Sequence, residues 1–392
     1  MSTRVIVIYC GLLLSLSAFS VDITLPAFPL IVADLAAPYD LVQMTVTIYI
    51  LSLGVGQLLC GSLSDRFGRR PIILGGLLVF LLGALLAIFA TNIYWLLAGR
   101  VLQGVGAAAG PVLGRAIIRD LFSGRELARN MAFAMAVFAF GPIVAPLVGV
   151  GLIAIGGWRF VYIGIAIFVI FLLIALTRLP ETLKATNAAA TNPVIMWGNM
   201  VRLFRQPQSR FFLLLSGTIM TSMLLIVTNA PRVFEQEFGI TGTLFAILFA
   251  LHGVGIVIGQ TVNRNLIGRI GALWSAVAGN GVLVLTGALI VALGMMGIMS
   301  GYLLSALLVL FATSYLMVYS NAASLTLDPH GEMAGFASSF YGFFSQLLGS
   351  VAASVLSIFI AGRLIPWGSA ILLVCVICLM ALVLRGRAFD DR

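Results

Sequence analysis

Twelve predominantly apolar stretches of about twenty residues follow one another along this chain, at 5–33, 40–60, 72–91, 94–118, 128–155, 158–178, 210–231, 240–262, 270–293, 297–320, 333–360 and 364–384. A helix of that length crosses the hydrocarbon core of a bilayer while satisfying its own backbone polar groups. Little chain is left between the stretches, so no soluble domain of any size fits. Charge agrees: 9% of the 392 residues are charged, against about 25% in a soluble domain. The expected architecture is an all-α membrane protein with twelve transmembrane helices, and the lipid bilayer is its main solvent.

The formal net charge of +9 invites a nucleic-acid partner, but the placement of the bases opposes one. With both termini cytoplasmic, the inner loops and ends hold Arg4, Arg66, Arg69, Arg70, Arg119, Arg125, Arg129, Arg178, Lys184, Arg202, Arg205, Arg210, Arg264, Arg269, Arg385, Arg387 and Arg392. The outer loops hold only Arg159, Arg232 and Arg363. This is the positive-inside asymmetry of a membrane protein. The cysteines, Cys10, Cys60, Cys375 and Cys378, sit in or at the edge of spans, so no disulfide framework is implied. Cys375 and Cys378 have redox spacing but lie in the last apolar helix. The first span is too long for a cleavable signal peptide, lacks a clear cleavage site and carries Asp22.

The one long polar stretch, 179–209, divides the spans six and six. Three regions are expected: an N-terminal bundle at 1–178, a cytoplasmic linker at 179–209 and a C-terminal bundle at 210–392. Within the linker, Asn192-Pro193 reads as a helix start. The apolar residues and arginines that follow fit a short helix on the membrane surface, or else an ordinary linker. Asp65-Arg66-Phe67-Gly68-Arg69-Arg70 after span two has a degenerate counterpart in Asn265-Leu266-Ile267-Gly268-Arg269 after span eight. The matching loops point to parallel repeats, an arrangement that sets a site at the repeat interface.

Asp22 lies past the midpoint of span one. A charged carboxylate at such depth costs a few kcal/mol even on lenient insertion scales, so a lone membrane acid is a functional candidate, here as a proton carrier. The alternative is a structural acid pinned by a buried base. Pro26 and Pro29 cannot donate to the carbonyls of Asp22 and Leu25, so the helix should bend there. Arg100, in the outer half of span four with Gln103 one turn below, is the base placed to face Asp22. It could also form a permanent ion pair or bond carbonyls. The loop glycines Gly61 and Gly68 permit close contact and a tight turn, and Asp65 can pair with Arg69 or Arg70. Span five carries Gly141-Pro142 through Pro146 and Gly149, a bent helix with a close-packing face, functional or simply a packing kink. His252 either titrates or is a hydrogen-bonded core histidine. Gly104-Val105-Gly106-Ala107-Ala108-Ala109 matches a dinucleotide fingerprint formally, but no strand precedes it.

Together these residues resemble the major facilitator superfamily, and within it the twelve-helix drug:proton antiporters. The stretch 64–71 is similar to the superfamily loop motif, and Arg100 to Gly104 to the span-four motif of proton-coupled members. Gly141 to Gly151 resembles the span-five antiporter motif, although Ala145 stands where a glycine is usual. Residues 21–29 and Arg119-Asp120-Leu121-Phe122 resemble the bicyclomycin and chloramphenicol resistance (Bcr/CflA) type. The resemblance implies two six-helix bundles in a bacterial cytoplasmic membrane. The protein would be a monomer without cofactor or metal that exports small organic molecules against protons by alternating access. It assigns proton coupling to Asp22 and Arg100, the substrate cavity to Gln103, Asn229, Tyr315 and Tyr319, and the cytoplasmic gate to Gly61, Asp65, Arg66, Gly68, Arg69 and Arg70. Export of an endogenous metabolite such as a siderophore or amino acid, or nutrient import, are alternatives on the same fold. An intramembrane enzyme is disfavoured: the sequence has neither H-E-x-x-H nor G-x-S-x-G, and its only histidines are His252 and His330. A channel is disfavoured because no ring of charge or filter loop repeats.

Overall fold

The computed structural model describes residues 3–183 and 185–389. Lys184 and Arg392, two of the inner bases, lie outside them. Among the described residues the chain is helical, without strands. The first span is broken. Helix α1 (Thr3–Asp22) stops at the acid, a single 3-10 turn (Leu25–Ala27) follows, and α2 (Phe28–Asp34) completes the crossing. The prolines are the cause, because neither can donate to the turn before it.

Helices α3 (Tyr39–Phe67) and α4 (Arg69–Ile88) form spans two and three. Span four is α5 (Ile93–Ala107) and α6 (Ala109–Leu121), separated by a turn residue at Ala108. Helix α7 (Gly124–Gly156) runs unbroken through Pro142 and Pro146, and α8 (Trp158–Leu176) is span six. In the linker, α9 (Pro193–Arg205) starts where the sequence predicts, and the Asn192 side chain accepts from the Val194 N–H at 2.9 Å. Helices α10 (Pro207–Phe238), α11 (Gly242–Met295), α12 (Gly301–Leu327), α13 (Ala334–Ile360) and α14 (Leu364–Arg385) follow. Among the described residues, eleven segments are long and apolar enough to cross a membrane. One of them, α11, has 54 residues and breaks at Gly271, so it supplies spans eight and nine.

That break corrects the sequence reading. The turn matching Gly68 is made by Gly271, not Gly268. Gly68 has φ 98° and ψ 162°, Gly271 φ 80° and ψ 169°. Both are conformations that only glycine adopts without strain. Gly268 stays helical, so Gly-Arg identity pointed three residues too early.

The chain forms two compact units, Met1–Met200 and Val201–Arg392. In the first, α1 packs on α6 and α7, while α4 packs on α5 and α8. In the second, α10 packs on α12, α13 and α14, and α11 on α12 and α14. Fully buried Trp367 ties α14 to α10 by donating to the Leu225 carbonyl at 2.9 Å.

Candidate functional site

The break in span one prepares the polar core of the first unit. In a continuous helix the Thr24 N–H would bond the Ser20 carbonyl. Here it bonds the Val21 carbonyl at 3.1 Å, which frees the Ser20 oxygen. Arg100 takes that oxygen: Nη1 donates to it at 3.1 Å and to Gln103 Oε1 at 3.0 Å, while Nε donates to the Thr45 carbonyl at 3.2 Å. The guanidinium lies over the rings of Tyr49 and Tyr162, at 4.5 and 6.0 Å. Tyr49 is itself fixed by its hydroxyl, which donates to the Ser17 carbonyl at 3.1 Å. Arg100 and Gln103 are 0% exposed. A guanidinium is tolerated at this depth because its fork meets carbonyl dipoles and aromatic faces together.

Asp22 ends α1 two residues beyond Ser20 and is 8% exposed. Among the described residues no hydrogen bond or ion pair reaches its carboxyl. Arg100 therefore bonds carbonyls beside the acid rather than the acid itself. Among the described residues three buried groups around the Arg100 guanidinium also lack hydrogen-bond partners: its own Nη2, Gln103 Nε2 and the Tyr162 hydroxyl. Sequence reading did not find Ser20, Thr45, Tyr49 and Tyr162. Their contributions come through carbonyls and rings, which carry no motif.

Span five closes on this region. A Cβ on Gly141 would collide with Ser15, and one on Gly149 with the Ile23 carbonyl, next to Asp22. Pro142 and Pro146 lie between them on the same helix.

The loop between α3 and α4 forms a second cluster. Arg69 is its hub: it donates to Asp65 at 2.6 Å, to Ser64 Oγ at 2.7 Å and, through Nε, to Asp120 at the end of α6 at 3.0 Å. Thr182 Oγ1 also donates to Asp120, at 3.2 Å. Glu181 receives the backbone N–H groups of Arg69 and Arg70, the first turn of α4, at 3.0 Å each. Burial pushes the Glu181 carboxyl up, but bonds from the N–H groups of Leu183, Arg69, Arg70 and Thr182 outweigh it and hold the carboxyl below its ordinary value. Arg66 donates to Thr191 Oγ1 at 2.7 Å, Arg70 reaches the Thr177 carbonyl at 3.5 Å, and the Gly61 carbonyl accepts from Ser64 Oγ at 2.8 Å. Gly68 makes the turn itself. Asp120 was visible in the sequence as part of Arg119-Asp120, but its partnership with Arg69 was not, and sequence reading did not find Glu181. At the other end of this unit, Asp34 accepts from Arg159 at 2.6 Å and Trp158 Nε1 at 3.0 Å.

The second unit holds the remaining candidates, and each is bonded locally. Asn229 Nδ2 donates to the Leu225 carbonyl, Thr228 Oγ1 and Ser357 Oγ at 3.0–3.1 Å, tying α10 to α13. The Tyr315 hydroxyl meets Met220 Sδ at 3.0 Å, and the Tyr319 hydroxyl pairs with Ser345 Oγ at 2.9 Å. The rings of Phe311, Tyr315 and Tyr319 stack along α12. His252 stacks on Phe249 at 5.4 Å, and its Nε2 has no hydrogen-bond partner. The hydrogen-bonded histidine expected as one alternative is therefore not met at that atom. The ends of spans eight, nine and ten are joined by amides and hydroxyls. Asn263 Oδ1 accepts from Ser275 at 2.7 Å and Asn321 at 2.9 Å, and Asn263 Nδ2 donates to Ser320 at 3.1 Å. Among the described residues no group of His, Cys, Asp and Glu could hold a metal ion.

A broken first helix beside a buried acid, twelve spans and a loop turn repeated in both units define a multi-pass membrane transporter. The chain belongs to the Major Facilitator Superfamily, whose family model matches residues 10–353. It is 32% identical to an uncharacterized MFS-type transporter, YdgK, of Bacillus subtilis, over 89% of this chain and 87% of that protein. It is 28% identical to a bicyclomycin resistance protein homolog of Haemophilus influenzae, over 91% of this chain and 89% of the relative. Its fold matches the xylose transporter XylE of Escherichia coli with a TM-score of 0.76 at 13% identity, covering 99% and 98% of the two chains.

Proposed function

We propose that this transporter is a proton-coupled antiporter that exports small organic molecules by alternating access from a bacterial cytoplasmic membrane, with both termini inside. The observation that carries the reading is the Asp22 carboxyl, buried at a helix break without a hydrogen-bond or ion-pair partner among the described residues. A buried carboxyl that finds no partner in its own protein must find one elsewhere, from a proton or a cationic ligand. The unpartnered donors of Arg100, Gln103 and Tyr162 supply the complementary half of a small polar site that binds water or ligand in alternation with protonation. Asp22 is then the proton carrier, and Arg100 holds the broken backbone and the local potential. Inward proton movement supplies about 1.4 kcal/mol per pH unit and about 2.3 kcal/mol per charge for each 100 mV. The likeness to the bicyclomycin resistance homolog favours antibiotics and similar amphipaths as cargo. The bonded loop of the first unit, centred on Asp65, Arg66, Gly68, Arg69 and Arg70, serves as the cytoplasmic gate. The test is transport in proteoliposomes under an imposed pH gradient, with a panel of drugs and metabolites beginning with bicyclomycin. The parent accumulates one or more compounds uphill with counterflow of protons, whereas Asp22→Asn inserts and binds but no longer accumulates. Uphill accumulation by Asp22→Asn would show that another group carries the proton, and cargo movement without proton counterflow would sink the antiport reading.

A further inference from the structure

Helix α9 has an inward side and an outward side that do not match a helix in water. Leu203 is buried, and Phe204 packs edge-on against Phe340 and Phe344 at 5.8 and 5.4 Å. At the other side, Val194 is 78% exposed and Trp197 64%, with Ile195 beside them. Toward the C-terminal end the same side presents Arg202 and Arg205, both exposed. The helix contains no acid. The ion pair recorded for Arg202 is to Glu332 at 3.5 Å, and the two side chains are 62% and 84% exposed, a geometry too open to hold the arginine.

An exposed cluster of Trp, Val and Ile marks a membrane or protein contact rather than a water face. Bases next to it, on a segment joined directly to membrane spans, select a negatively charged partner. The arginine distribution of the loops puts this segment on the side where anionic lipid is found. We propose that α9 is a lipid-binding element: Val194, Ile195 and Trp197 enter the boundary between headgroups and acyl chains, while Arg202 and Arg205 bind the phosphates of anionic phospholipids. Glu332 is displaced from Arg202 when a phosphate arrives, since a phosphate offers more acceptor oxygens in the geometry a guanidinium prefers.

The inference stands apart from the transport reading and is tested without it. Cys10, Cys60, Cys375 and Cys378 are all buried, so a spin label on Val194→Cys or Trp197→Cys in the full chain reports on α9. The protein is reconstituted in vesicles of phosphatidylcholine alone and of phosphatidylcholine with phosphatidylglycerol. Label depth is read from relaxation by oxygen against a water-soluble nickel chelate. The label should sit in the interface when phosphatidylglycerol is present and move toward water when it is absent. Arg202→Gln with Arg205→Gln, in phosphatidylglycerol vesicles, should reproduce the depth seen in phosphatidylcholine. The seated population should fall about fivefold for each arginine removed. Equal depth in both vesicles would overturn the role of anionic lipid, and a label immersed in water in both would overturn the membrane seat altogether. A label shielded equally in detergent and in vesicles would mean that a protein surface covers the helix.

Discussion

At the scale of single residues, the arginine in span four decides most. Its sequence position suggested a partner for Asp22. Its structure instead gives three bonds to two carbonyls and one amide oxygen, and none of them is to the Asp22 carboxyl. Arg100→Ala would strand the Ser20 carbonyl, which the broken helix leaves without its usual donor. Buried unsatisfied groups cost about 1–3 kcal/mol each, so this variant should lose several kcal/mol of stability in detergent. Arg100→Lys keeps the charge but not the fork, and should recover only part of that loss. Thermal unfolding followed by tryptophan fluorescence checks both. A melting curve for Arg100→Ala that overlays the parent would mean that Arg100 does not hold the break. The sequence made Asp22 and Arg100 legible because charge in a span is rare enough to stand out. It hid their bonding because carbonyls belong to every residue alike.

At the scale of elements, span boundaries were readable because hydrocarbon thickness sets them, and no partner helix has to be known. The turn of the second unit was misread for the opposite reason. Gly268 and Gly271 are both plausible from composition, and only the backbone conformation selects Gly271. Close packing was legible in kind but not in register. Of the small residues in α7, Gly149 lies where a Cβ would collide with the Ile23 carbonyl, whereas nothing stands within 4 Å of a Cβ on Gly151. The contact from Gly149 is to backbone at the break of span one, which cannot move without moving Asp22. Gly149→Ala should thus cost about 1–3 kcal/mol by overpacking and depress transport, and Gly151→Ala should leave both unchanged. Unfolding temperatures and initial uptake rates of the pair make the comparison. A tolerated Gly149→Ala would show that α1 and α7 separate freely at that level.

Across the whole molecule, the two units join the same three span ends by different chemistry. In the first, the ends of spans two, three and four are held by ions: Asp65, Arg69 and Asp120, with Glu181 on the first turn of α4. In the second, spans eight, nine and ten are held by Asn263, Ser275, Ser320 and Asn321, which are neutral. The sequence recorded the loss of the second acid as degeneracy. The structure shows a replacement, built from residues outside the loop that the repeat comparison covered. Charge-assisted bonds contribute about 1.5–3 kcal/mol each and neutral ones about 0.5–1.5, and only the former depend on protonation. The Glu181 carboxyl is held below its ordinary value of 4.5. Its contribution is therefore complete above that value and is lost as pH falls through the lower folded value. Acidification through that lowered value should loosen the first unit's tie and leave the second unit's tie intact. Asp120→Asn should do the same at neutral pH by weakening the bonds from Arg69 and Thr182. Amide hydrogen exchange around 64–70 and 177–183 should quicken about tenfold, which is the factor for roughly 1.4 kcal/mol. Exchange around 263–275 and 318–322 should hold its rate. Asn263→Leu should reverse the pattern, quickening the second pair of segments at every pH and sparing the first. Equal response of both units to acid would mean that their ties do not titrate separately.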